Sequence, residues 1–309
     1  MKLTYAIAPP NQATPTERRQ AIAAEQSARI ASLPIDALLV YDVQDEAARN
    51  VGPRPFRFMP KVDALTYAFD ALQLGALPRI VYRAVAEQDE AALRAWLDTL
   101  QARGGRAVLV GAPSREAAPP LTLPNALGVC RSHAPLLPFG GVLIPERHVT
   151  RGGEDARVWS KMQQGCRFFV SQTVWCAATT KRLLRDLRIR LEQESGAAPA
   201  ILFTLSPCGS AQTLDFLEWL GVAVPGPVKR ELLAAKDMLA RSIDLATETF
   251  AEIRGFAREQ GLVVGCNVES VTARTAEVEA SIELLRRVDR MTGFSWRAGD
   301  VTEAQHLPG

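Results

Sequence analysis

Between residues 140 and 172 the chain carries four side chains whose types and spacing can do chemistry: Glu146, His148, Lys161 and Gln172. Glu146 and His148 sit two residues apart, directly after Pro145. A carboxyl and an imidazole so close can form an acid/base pair, a metal pair or a substrate clamp, or they can simply order a loop. Lys161 lies near the end of the helical stretch EDARVWSKMQQG, where a cation complements the helix dipole. Gln172 closes the apolar run FFVSQ. A neutral amide there, with one acceptor and two donors, suits bidentate recognition of a flat heterocycle, or satisfaction by neighbouring backbone. Further along, Asn267 and Glu269 end the run GCNVES, and Glu269 is placed to supply a proton. Asp42 and Asp45 follow an earlier apolar run and read more simply as helix caps. No metal centre is expected, because the chain has only three histidines and His306 falls in its last residues.

These groups need elements to position them. Short apolar runs read as strands at residues 3–8, 37–41, 79–82, 107–110, 141–144, 168–171, 200–204 and 262–267. Most are continuous rather than alternating, as parallel strands covered on both faces are. Helical spacing fills the gaps. Leu93, Trp96, Leu97 and Leu100 fall at i, i+3, i+4 and i+7, and Gly104-Gly105 stops that helix. Leu183, Leu184, Leu187 and Leu191 repeat the pattern before Gly196. Ser210 is placed to cap a helix that Gly221 ends. One helix is expected across 154–165, with Pro145 to His148 in a loop. Residues 228–260 read as one long or two short helices. Strand–helix alternation repeated eight times predicts an α/β fold, a single (β/α)8 TIM barrel over residues 1–295, with 296–309 as a frayed tail. Polar residues at strand C-termini would then share one mouth. No G-x-G-x-x-G follows the first strand and no Walker A loop occurs, which disfavours an open doubly wound sheet.

Composition narrows the classes. Of 309 residues, 47% are hydrophobic and 23% charged, with a net charge of +2. That is an ordinary folded protein, with no basic footprint for nucleic acid. No apolar run reaches the length of a membrane span. The five cysteines form no C-x-x-C pair, so neither a disulfide framework nor a zinc ribbon is expected. The simplest location is cytoplasmic.

The run Pro145-Glu146-x-His148, with Lys161, Gly165 and Gln172 at their spacing, resembles the methylenetetrahydrofolate reductase family. The resemblance is specific in residues 140–172. It extends more weakly to Pro9-Pro10 after the first strand and to the stretch LFTLSPCGSAQTLDFLEWLGVAVP. The family is a (β/α)8 barrel. The resemblance implies that Gln172 contacts a folate pterin and that Lys161 lies near a flavin's phosphate-bearing chain. Three positions depart from the family. Ala6 stands where its first strand has an acidic Glu, Val110-Gly111-Ala112 lacks its flavin-side Asp, and Arg79 replaces a flavin-contacting His. FAD is therefore expected to be weakly held or absent, with NAD(P)H as the direct hydride source, as in relatives that Met59-Pro60-Lys61-Val62-Asp63 resembles. On this reading Glu269, and after it Glu146, supplies the proton. Gln172, His148 and Asn267 bind substrate, and Lys161 and Arg79 hold the cofactor, with no metal. The implied activity interconverts 5,10-methylenetetrahydrofolate and 5-methyltetrahydrofolate. The alternative is a folate-binding barrel that reduces nothing, a carrier or an inactive partner subunit. The partner implied is a tetrahydrofolate derivative, with neither nucleic acid nor membrane, and a homo-oligomer is left open.

Overall fold

A strand buried on both faces must pair on both edges, and here the pairing closes into a ring. The computed structural model describes residues 2–46, 52–112 and 119–293. Its strands are β1 (Leu3–Ile7), β2 (Ala37–Val40), β3 (Arg79–Ala84), β4 (Arg106–Val110), β5 (Phe139–Leu143), β6 (Phe168–Thr173), β7 (Ala200–Leu205) and β8 (Val264–Glu269). All pair in parallel in the order β1 to β8, and β8 returns to β1 in a closed barrel. The expected (β/α)8 architecture is therefore the one found. The tail, including His306, and residues 113–118 of the Pro-rich stretch after β4 lie outside the described residues.

Outside the strands come α1 (Thr16–Ala31), the short α2 (Ala64–Thr66) running into a π turn at Tyr67–Ala71, α3 (Glu90–Ala102) and α4 (Leu123–His133). Then follow α5 (Pro145–Arg151), α6 (Glu154–Gln163), α7 (Ala177–Gln193), α8 (Ala211–Trp219), α9 (Gly226–Ala234), α10 (Met238–Glu259) and α11 (Thr275–Thr292). The apolar stripes of α3 and α7 face the sheet: Leu93, Trp96, Leu97 and Leu100, and Leu183, Leu184, Leu187 and Leu191, are all buried. The large core between sheet and helices includes Phe169, Phe203 and Phe250. A separate apolar cluster of Ala6, Leu39, Ile80, Tyr82, Val108, Phe168, Val170 and Leu202 fills the inside of the barrel.

One expectation is corrected. The segment after β5 is two helices, not a loop and one helix. Pro145 takes the first position of α5, where its missing N–H costs nothing, and Gly152-Gly153, both at φ 69°, turn the chain into α6. The surplus between β7 and β8 holds the Ser210-capped α8 and then, in the span read as one long or two short helices, α9 and α10. The long α10 packs on the barrel against α7 and α11, while α8 and α9 surround a small core of Trp175, Cys208, Leu214, Leu217, Val222 and Leu232.

Candidate functional site at the barrel mouth

Register decides what meets inside the barrel. Thr4 pairs with Asn267, Asn267 with Thr204, and Thr204 with Thr173 across the bulge in β6. One residue pair higher, Ala6 of β1 stands beside Glu269 of β8. A carboxyl therefore stands beside Ala6, at the same height on the adjoining strand.

The polar groups of this layer bind one another. Asn267 is fully buried. Its Oδ1 accepts from Thr4 Oγ1 at 3.0 Å, and its Nδ2 donates to Thr204 Oγ1 and to Tyr41 Oη, each at 3.2 Å. Glu269 Oε1 accepts from Thr173 Oγ1 at 2.8 Å. Tyr82 meets the Tyr41 ring edge-on, with centroids 4.7 Å apart. Burial raises Glu269 above the usual carboxylate range, against the lowering effect of the Tyr41 and Thr173 hydroxyls. Burial also raises Tyr41 well above an ordinary phenol, and the Glu269 charge adds to it. An inward carboxyl with a weakened tendency to ionise, ringed by hydroxyls and an amide, can give a proton to or take one from a ligand seated in the mouth.

The rim on the β6–β8–β1 side is built by α8 and the described stretch 52–62. The start of α8 is tied to the loop after β8, since Arg274 Nη1 donates to Ser210 Oγ and Nη2 to Gln212 Oε1. Its end is tied to β6, because Gln172 Nε2 donates to the Leu220 carbonyl at 3.0 Å. Across α8 lies the 52–62 strap. Trp219 Nε1 donates to Gly52 O and Gln212 Nε2 to Pro55 O. The Arg54 guanidinium lies 4.9–5.3 Å from the ring centroids of Trp219, Phe58 and Phe216. The strap ends beside β1, where Gln12 N donates to Pro60 O, Val62 N to Pro10 O and Lys61 Nζ to Asn11 Oδ1. Glu277, 2% exposed, anchors the same rim by accepting from Gly209 N, Thr213 Oγ1 and Thr272 Oγ1.

The other predicted residues fall in different places. Arg79 is the first residue of β3, at the end of the barrel opposite the mouth. It donates to the Gly75 and Leu77 carbonyls and packs over Phe69, so it holds no cofactor at the mouth. His148 is buried on α5 and pins helices together: its Nε2 lies 2.8 Å from Asp186 of α7 and its Nδ1 3.5 Å from Asp155 of α6. Lys161 Nζ donates to the Val142 carbonyl at 2.6 Å, and burial lowers its pKa. Glu146, 7% exposed, has no hydrogen-bond partner on either carboxyl oxygen, and burial pushes it up to about 7. Asp42 accepts from Ala84 N of β3 and caps none of the described helices. Sequence reasoning missed Tyr41, Tyr82, Thr173, Thr204 and Thr4. A period-2 reading of each strand's inward positions would have found Thr4, Tyr41, Tyr82 and Thr204, but the β6 bulge moves Thr173 off that period.

Among the described residues no three His, Cys, Asp or Glu side chains are grouped to hold a metal. No described helix is long and apolar enough to cross a membrane. All five cysteines are free. Burial pushes Cys130, Cys166 and Cys208 up to about 12, which leaves those thiols unreactive.

No protein-family model matches the chain, and no curated protein does. Among solved structures it is similar, at 32% identity and a TM-score of 0.81, to an uncharacterized protein from Clostridium thermocellum that binds two copies of 5-methyl-5,6,7,8-tetrahydrofolic acid. That likeness covers 94% of this chain and 96% of the other. A 2,3-dimethylmalate lyase of the PEP mutase/isocitrate lyase superfamily matches 98% of this chain and 87% of its own, at 8% identity and a TM-score of 0.46, and carries no argument.

Proposed function

The chain belongs to the family of that Clostridium thermocellum protein, and from this membership and the mouth geometry we propose that it binds a reduced folate and interconverts its methylene and methyl forms. The carrying observation is the pairing of Ala6 with Glu269, which keeps one carboxyl at the level of the missing first-strand acid. In the reducing direction the five-membered ring of 5,10-methylenetetrahydrofolate opens at the bond between the bridging carbon and N10. An N5 iminium forms, and N10 takes a proton. The iminium carbon would then take up hydride supplied by a nicotinamide co-substrate, which would leave oxidised, giving 5-methyltetrahydrofolate. Glu269 holds the proton that N10 requires. Asn267, Thr4 and Thr204 fix the floor on which the pterin rests, and the α8–strap rim keeps water from the reacting carbon.

Flavin does not fit these residues. Ala112 presents no side-chain acceptor to a flavin ring, and the Lys161 ammonium already serves the Val142 carbonyl, so no step is routed through flavin. The same facts favour a second reading, a folate-binding barrel that reduces nothing. Oxidation of NADH or NADPH by the purified chain, with and without 5,10-methylenetetrahydrofolate, separates the two. Folate-dependent nicotinamide oxidation, lost in Glu269→Gln, supports the reductase. Tight 5-methyltetrahydrofolate binding without any oxidation leaves the carrier.

A further inference from the structure

The alternation of β6 breaks partway along the strand. Phe168 and Val170 face the barrel interior and Phe169 faces the outer core, so strict alternation would send Gln172 inward and Thr173 outward. The register does the reverse. Val170 pairs with Leu202 and Thr173 with Thr204, so three steps along β6 match two along β7. That extra residue exchanges the faces of the two side chains. Thr173, 3% exposed, turns into the mouth and donates to Glu269 Oε1 at 2.8 Å, while Gln172 Nε2 goes to the Leu220 carbonyl.

The bulge is held by hydrogen bonds on both sides. Ser171 Oγ accepts from Thr204 N at 2.8 Å and donates to the Gln172 carbonyl at 2.7 Å, and Ser171 O accepts from Thr204 Oγ1 at 2.7 Å. Val174 N then donates to Thr204 O at 2.9 Å, which resumes the ladder. Thr204 is itself held by Asn267 Nδ2 at 3.2 Å, and Asn267 lies on β8 with Glu269. Bulges beside active sites commonly re-aim one side chain. We propose that Thr173 is the positioning residue of the mouth: its hydroxyl, brought inward by the β6 bulge, fixes the rotation of the Glu269 carboxyl against the ligand. A glutamate carboxyl otherwise turns about a broad terminal torsion. The β-branched threonine is stiff at χ1, so its hydroxyl is a fixed donor. With Oε1 accepting from Thr173, an acidic proton on the carboxyl sits on Oε2.

Only the identity of the ligand rests on the folate reading, and the hydrogen bond is tested without folate. Infrared spectra of the whole chain are recorded in acid, with Glu269 protonated, and subtraction of Glu269→Gln isolates its C=O band. In Thr173→Val, which keeps the shape and deletes the donor, that band moves to higher frequency. Thr173→Ser, which keeps the hydroxyl, returns it to the wild-type position. A band unmoved in Thr173→Val overturns the proposal. Should Thr173→Val not fold, NMR of the threonine-labelled wild type follows the Thr173 hydroxyl proton, which is protected from exchange and loses that protection in Glu269→Leu. Equal protection in both proteins overturns the proposal as well. In the folate assay Thr173→Val lowers kcat by about tenfold and leaves KM unchanged, and a wild-type kcat beside a moved band would remove Thr173 from positioning. A wild type that oxidises no nicotinamide contradicts the reductase reading alone, and the band still decides the role of Thr173.

Discussion

The buried Glu146 and the partly buried Glu269 at the mouth differ in what surrounds them. Glu269 accepts from the Thr173 hydroxyl, whereas neither carboxyl oxygen of Glu146 has a hydrogen-bond partner. If Glu269 is the acid, Glu269→Gln lowers folate-dependent turnover by about 10²-fold or more while 5-methyltetrahydrofolate affinity changes little. Steady-state kinetics beside a binding titration check the split, and equal losses in both would reassign Glu269 to binding. Glu146 makes a stability prediction. Its pKa rises from an ordinary 4.5 to about 7 on folding, so between those values the folded state holds a proton that the unfolded chain has lost. The stability this group contributes is complete below about pH 4.5 and falls as pH rises through about 7, by about 3 kcal/mol in all. Urea unfolding at pH 5 and pH 8 should show that fall in the wild type and a smaller one in Glu146→Gln. Equal falls in both proteins would mean that Glu146 is solvated.

The connections hold the site in shape. Gly165, part of the motif that suggested the family, sits at φ 103°, and a Cβ there would stand 2.8 Å from the Phe139 ring. It turns the chain from α6 into β6, so its place in the motif is structural. Gly165→Ala should cost about 1–3 kcal/mol in chemical denaturation, and an unchanged midpoint would contradict the strain. The 52–62 strap is held to α8 by Arg54 over three rings and by two hydrogen bonds from α8. At roughly 0.5–1 kcal/mol for each cation–π contact, Arg54→Ala should leave the barrel folded but expose the strap to protease. Limited proteolysis with mapping of the first cut is the check. A first cut elsewhere, at the wild-type rate, would show that Arg54 does not hold the rim.

At the scale of the whole molecule the barrel was legible because its signal is repeated eight times. An error of one or two residues in each strand, such as 262–267 read for Val264–Glu269, leaves the ring intact. The candidate site was legible in part. Glu269 and Asn267 could be found because both end a strand, but a chain read in one dimension does not say that Glu269 stands beside Ala6. Arg79 was misplaced because a family position was carried over without asking which end of β3 it occupies. His148 lies on a helix created by Pro145 and ended by Gly152, and its partners Asp155 and Asp186 come from two other helices. Such a constellation has no sequence spacing to reveal it. Tyr41 was missed because an isolated tyrosine after an apolar run looks like core. The central claim is that the mouth around Glu269 and Asn267 is a reduced-folate site, and calorimetric titration with 5-methyltetrahydrofolate tests it most directly. The wild-type chain and Arg79→Ala should bind saturably and alike, while Asn267→Leu, which removes the central amide, should bind at least about tenfold more weakly. Absence of binding to the wild type, or equal affinity in Asn267→Leu, would contradict the account.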